Sequence, residues 1–192
     1  MAIGDIIVGM DIGTSKVSMV IGEVNNFNQI EVIYTDSQKC SGIKKGKIID
    51  EDEIVLAVTK LIKNAEIDAN LTINSTYITI PGKYVTIVQN SIVKEAKDRY
   101  AGISMKDVSS SIMQVSDIDI PEGKQIIDIV TDRFILENGK IVQDPVGSLS
   151  SSFTLKAQIA LADKDYVKKI TNILKNCDLG DGKILQNIKH KF

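Results

Sequence analysis

Residues Val8-Gly9-Met10-Asp11-Ile12-Gly13-Thr14-Ser15-Lys16 restrict what this chain can become more than any other stretch. An apolar run (Ile6, Ile7, Val8) precedes them and a second (Val17 to Ile21) follows. The pattern predicts a short strand, a tight turn and a second strand running back. The turn collects an acid, a glycine, two hydroxyls and a lysine, a set suited to phosphate groups and their magnesium ion. Gly13 lets the backbone approach a ligand closely. Thr14, Ser15 and neighbouring amides are donors to phosphate oxygens, and Lys16 offsets phosphate charge. Asp11 is a hard oxygen ligand that suits magnesium held through water. The plain alternative is a β-hairpin with Gly13 at positive φ and no ligand. The Walker spacing is absent, and a Rossmann turn requires a helix where Val17 to Ile21 reads as strand.

The 192 residues suit one domain of ordinary size or two small ones. Hydrophobic content of 43%, rich in Ile and Val, supports a β-rich α/β core. A formal charge of −2 supplies no global basic field for nucleic acid. Cys40 and Cys177 are far apart and form no Cys-x-x-Cys pair, so two free thiols in a reducing cytoplasm are expected. His190 is the sole histidine, which argues against a histidine-dependent triad. No basic leader precedes the first apolar stretch, and no run reaches the about 18 apolar residues of a membrane span.

Three strands are predicted first, over Ile6–Ile12, Lys16–Val24 and Gln29–Lys39. The basic Ser41-Gly42-Ile43-Lys44-Lys45-Gly46-Lys47 run reads as a solvated turn. A helix should start near Asp50, with Glu53 closing an acidic capping box and Ile54, Val58, Leu61, Ile62 and Ala65 on one face. A strand over Ser75–Ile80 ends at Pro81-Gly82. Beyond it come a strand (Tyr84–Val93), a charged loop (Glu95–Gly102) and a helix capped by Ser104. Strands over Gln125–Leu136 and Phe153–Ala162 follow, and then a helix capped by Asp163. The middle segment thus reads as a small α+β module inserted into the first domain. The serine runs Ser109–Ser111 and Ser150–Ser152 suit helix surface and loop rather than nucleophiles.

Taken in order, these motifs resemble the bacterial FtsA family of the actin, Hsp70 and sugar-kinase ATPase superfamily. Gly9 to Lys16 resembles that family's first phosphate motif, with Gly22-Glu23 after the second strand. Gly42-Ile43-Lys44-Lys45-Gly46-Lys47-Ile48-Ile49-Asp50 resembles the loop before its first helix. Pro81-Gly82-Lys83-Tyr84-Val85 resembles the crossing into its inserted subdomain, and Asp144-Pro145-Val146-Gly147 the loop before that subdomain's last strand. The resemblance implies an α/β fold: an actin-like (ribonuclease H-like) subdomain 1A over 1–82 and 163–179. An SHS2-like α+β subdomain 1C is inserted over 83–162, and a divergent basic tail follows over 180–192. Asp11, Gly13, Thr14, Ser15 and Lys16 inherit the phosphate role, with Asp11 serving magnesium through water.

The family links FtsZ filaments to the membrane at the division site, on its cytoplasmic face, and recruits later division proteins. By resemblance, subdomain 1C contributes self-association and contacts with those later proteins. The second lobe, which carries another Asp-x-Gly-Gly loop, the adenosine site and the grip on FtsZ, is not represented here. ATP binding is therefore expected to be weak or absent, and protein–protein contact to be the main activity. The alternatives are a pilus-assembly adaptor of the PilM type and an ATPase or phosphotransferase of the same superfamily. The Gly42–Lys47 and Asp144–Gly147 loops favour FtsA over PilM. In the tail, Ile184, Leu185, Ile188 and Phe192 fit one face of a short basic helix suited to a membrane surface, and the tail otherwise reads as the end of a truncated or frameshifted gene.

Overall fold

The computed structural model describes residues 2–98 and 100–180, together with the backbone of 183–186. The chain divides into two compact units, residues 1–84 with 164 onward, and Val85–Asp163.

Unit 1 begins with an antiparallel meander of β1 (Ile6–Ile12), β2 (Lys16–Val24) and β3 (Ile30–Lys39). Alternation along β1 and β2 decides which way the sheet faces. Val8, Met10 and Ile12 stand opposite Ile21, Met19 and Val17, and all six are buried. Helix α1 (Glu51–Asp68) packs against β2 and β3 with Ile54, Val58, Leu61, Ile62 and Ala65 buried. Helix α3 (Lys164–Asn176) lies against α1 and buries Val167, Ile170, Ile173 and Leu174. Strand β6 (Tyr77–Ile80) joins β1 in parallel. The two strands therefore end side by side, at Asp11–Ile12 and Thr79–Ile80, and this end of the sheet carries the candidate site.

Two sequence expectations change here. The Ser41–Lys47 turn contains a hairpin, β4 (Ile43–Lys44) paired with β5 (Lys47–Ile48). Its two-residue turn, Lys45 and Gly46, has φ of 49° and 71°, the left-handed pair that a tight hairpin demands. Glu53 does not close a capping box. Asp50 caps α1 by accepting from the Glu53 amide, but the Glu53 carboxylate reaches Ser41, accepting from its amide at 2.8 Å and its hydroxyl at 2.6 Å. The Asp50 amide donates instead to the Gly42 carbonyl. A chain folded back over the helix start supplies partners that the linear spacing hides.

The tail is a further correction. Lys183–Gln186 form a strand, β11, parallel to β6, where a helix had been expected. The Gly180 amide donates to the Asn74 carbonyl and aligns the returning chain with β6. A helix of about two turns is marginal in water, whereas a strand here satisfies the outer edge of β6. The completed sheet has the order β11-β6-β1-β2-β3. The positions Ile188 and Phe192 lie outside the described residues.

Unit 2 is a four-stranded sheet of order β7-β10-β8-β9. Its strands are β7 (Val85–Glu95), β8 (Lys124–Leu136), β9 (Ile141–Val142) and β10 (Ser152–Asp163). Helix α2 (Met105–Val115) carries the capping box that α1 lacks: Ser104 Oγ accepts from the Asp107 amide, and Asp107 accepts from the Ser104 amide at 3.0 Å. Phe134 and Phe153 meet at a 5.9 Å centroid separation in a core with Ile103, Val115 and Leu155. Hydrogen bonds from the Ser104 hydroxyl and amide, with the Lys97 charge, hold the Asp107 carboxyl below its ordinary range despite its burial.

Candidate functional site

The β1–β2 turn is closed by the Ile12–Val17 pair and by the Gly13 amide, which donates to the Lys16 carbonyl at 2.9 Å. From the next element, the Cys40 amide donates to the Ser15 carbonyl at 3.2 Å and fixes the turn from outside. Gly13 is not in the left-handed region, contrary to the plain hairpin reading. Its requirement is space: a Cβ would stand 3.1 Å from the Lys16 carbonyl oxygen and 3.7 Å from Asp11 Oδ2. Among the described residues, the amides and hydroxyls of Thr14 and Ser15 donate to no protein acceptor. Consecutive free donors on an exposed turn form an anion-receptive surface.

Asp11 is exposed at the end of β1, and its Oδ1 accepts from Thr79 Oγ1 at 2.5 Å. The parallel β1–β6 pairing brings these residues together from 68 positions apart. That bond orients the carboxylate and leaves Oδ2 facing the turn. Among the described residues no group of three or more metal-ligating side chains occurs. One carboxylate with nearby hydroxyls suits magnesium, which keeps several waters and takes phosphate oxygens as further ligands.

A cleft of about 250 Å³ opens beside Asp11. Gly13, Thr14, Thr79, Gly82, Ile43 and Gly46 are among the residues that line it. Pockets for whole drug-sized ligands run from about 300 Å³ upward, so this volume suits a phosphate group better than an entire nucleotide. Of the five residues singled out by sequence, Asp11, Gly13 and Thr14 border the cleft, while Ser15 and Lys16 are exposed on the flank of the turn. Thr79, Gly46 and Gly82 were missed. The signal for Thr79 and Gly82 was available: loops after adjacent parallel strands emerge at one end of a sheet.

Behind Gly46 stands Lys83, from a single 3-10 turn at Gly82–Tyr84. Its ammonium donates to the Lys45 carbonyl and lies 4.9 Å from the centroid of the Tyr84 ring. Tyr84 stacks on Tyr166 of α3 with centroids 3.9 Å apart. Burial, then the nearby Tyr84 and Asp11, push the Tyr166 phenol up to about 12.

A second concavity, about 450 Å³, lies on the sheet of unit 2, lined by residues that include Gln89, Arg133, Lys156 and Gln158. It contains none of the phosphate-turn residues. Arg133 is there held by Asp132 at 2.8 Å.

Comparison with known proteins follows the same division. Residues 82–161 match the family described as the SHS2 domain inserted in FtsA. The cell division protein FtsA of Pseudomonas aeruginosa is 24% identical over 176 residues, covering 92% of this chain and 42% of that protein. FtsA of Escherichia coli strain K12 is likewise 24% identical over 176 residues, covering 91% and 41%. The chain thus spans about two fifths of the length of these relatives. Among solved structures, one from a PilM–PilN type IV pilus biogenesis complex is similar with a TM-score of 0.60 and 12% identity. That match covers 94% of this chain and 46% of the other. That likeness bears on the mixed α/β fold alone.

Proposed function

From the resemblance of this chain to FtsA across both of its units, we propose that it provides the first lobe of an FtsA-like cell-division protein. The β1–β2 turn receives the phosphates of ATP, and the inserted unit makes protein contacts. The observation that carries the phosphate reading is the cleft where Asp11, oriented by Thr79, meets the free donors of Thr14. Asp11 would hold magnesium through water, Thr14 and Ser15 would donate to phosphate oxygens, Gly13 keeps the wall open, and Lys16 would add charge at the rim. The chain has a single Asp-x-Gly-Thr turn and no Asp-x-Gly-Gly run. A ligand gripped from one side stays open to water, so affinity for this chain is weak.

On this reading, subdomain 1C spans 83–162 and supports self-association and contacts with late division proteins at the cytoplasmic face of the membrane. Contact with FtsZ requires the second lobe. Neither a nucleic-acid partner nor turnover is assigned to the chain: Asp11 would serve the metal, and the turn offers no second carboxylate to act as a base.

Titration of the isotope-labelled protein with magnesium–ATP tests the cleft. The amide signals of Thr14 and Ser15 should move with an affinity on the order of millimolar, and Asp11→Ala should suppress the movement. Micromolar affinity would overturn the half-site, and unmoved signals would overturn phosphate binding. Co-purification with division proteins supports the cellular role; capture by pilus inner-membrane proteins instead would support the PilM-type adaptor that the shared fold also permits.

A further inference from the structure

We infer that Lys83 is a latch that exchanges a backbone carbonyl for a phosphate oxygen when the cleft fills. The inference rests on the phosphate reading of the cleft and adds to it a residue from outside the β1–β2 turn.

Three observations place Lys83 at the cleft. Its ammonium donates to the Lys45 carbonyl, in the tight turn of the β4–β5 hairpin. Its side chain runs directly behind Gly46: a Cβ on Gly46 would stand 2.9 Å from Lys83 Cε and 3.1 Å from Nζ. Gly46 and Gly82 both line the cleft, together with Gly13 and Thr14 of the phosphate turn. The ammonium is therefore separated from the cleft by a residue that has no side chain.

The chemistry favours exchange. Among the described residues no carboxylate lies within ion-pairing distance of Lys83, and its acceptor is a neutral carbonyl. The bond to the carbonyl already has a charged donor; a phosphate oxygen adds a full negative charge opposite the ammonium, and that Coulomb attraction favours the exchange. The lysine stem is flexible, with three rotatable donors on a point charge, so it can turn without moving the backbone. Tyr84, stacked on Tyr166, supplies a fixed aromatic surface for that movement. With the cleft empty, Lys83 ties the hairpin corner to the end of β6. With phosphate present, the ammonium moves to the anion and the Lys45 carbonyl is released.

The test uses the whole chain, labelled with nitrogen-15, and magnesium–ATP as the probe. Lys83→Met keeps the stem over Tyr84 and removes the charge. It should weaken the probe's affinity by about tenfold, read from the initial slopes of the Thr14 and Ser15 amide shifts. Lys83→Arg keeps the charge and should stay within about threefold of the parent. The Gly46 amide should move on saturation in the parent, and the ligand-free Lys83→Met protein should already show that moved position. An affinity unchanged by Lys83→Met, with the parent still binding, overturns the latch alone. A parent whose Thr14 and Ser15 signals never move overturns the phosphate reading and the latch with it. A merely structural strap would displace Gly46 in the variant without altering the slopes, and that result also overturns the latch.

Discussion

Two tight turns of unit 1 each contain a glycine and a lysine, yet they use the glycine for different physical ends. In the β1–β2 turn, Gly13 has an ordinary φ and is needed because a side chain would crowd the Lys16 carbonyl and the approach to Asp11. In the β4–β5 turn, Gly46 is needed for its left-handed backbone, φ 71°, and Lys83 fills the space that its missing side chain leaves. One glycine keeps a ligand surface open, while the other keeps a corner sharp. The difference separates residues that a stability screen will find from those that only a binding screen will find.

The strongest test of this contrast acts at the base of the second turn. Gly42 accepts both the Ile49 and Asp50 amides, and a Cβ there would stand 2.5 Å from the Asp50 carbonyl oxygen and 2.6 Å from Ile54 Cγ1. Neither the helix start nor its buried isoleucine can retreat. Gly42→Ala should destabilise unit 1 by more than about 2 kcal/mol, read as a lower denaturation midpoint.

Next in size is an alkaline effect at the aromatic support beside Lys83. Tyr166 ionises at about 12 when folded, against an ordinary value of 10.0. Its folded value is raised, so its contribution is complete below pH 10 and is lost as pH rises through about 12. The total is on the order of 2 kcal/mol. Ultraviolet titration of phenolate should show one tyrosine ionising last, and the stability curve should fall over the same window.

Gly46→Ala should cost about 1 kcal/mol, the price of a left-handed residue with a Cβ, because the contacting end of Lys83 can move aside. Gly13→Ala crowds the Lys16 carbonyl, at 3.1 Å, without a left-handed backbone to strain, so it should cost less than Gly46→Ala while reducing the magnesium–ATP shifts of Thr14 and Ser15. Should Gly13→Ala destabilise more than Gly46→Ala, the contrast between the two turns fails.

Sequence reasoning located β1 and β2 to the residue and β3 within one residue, because alternation and turn residues agree there. It placed α1 through the Ile54, Val58, Leu61, Ile62 and Ala65 stripe. Two-residue strands such as β4 and β9 have no period to read. Lys183–Gln186 is too short to show which period it follows, and its pairing partner lies some hundred positions earlier in the chain. The same limit applies to the site. Asp11 and the residues of its own turn are contiguous and legible, whereas Thr79 and Gly46 reach the cleft only through parallel pairing and a folded-back hairpin. Glu53 illustrates the converse: its spacing suggested a local partner, and tertiary folding gave it Ser41.

The placement of the two thiols gives this protein an internal clock for the motions of one unit. Cys40 and Cys177 are both free, both buried and both in unit 1, while no cysteine occurs in Val85–Asp163. Burial raises both thiols above their ordinary range, which keeps them protonated and slow to react while folded. The rate of covalent labelling therefore counts openings of unit 1 and is blind to the inserted unit. Cys40, whose amide is bonded to Ser15, reports on the backbone of the phosphate turn itself.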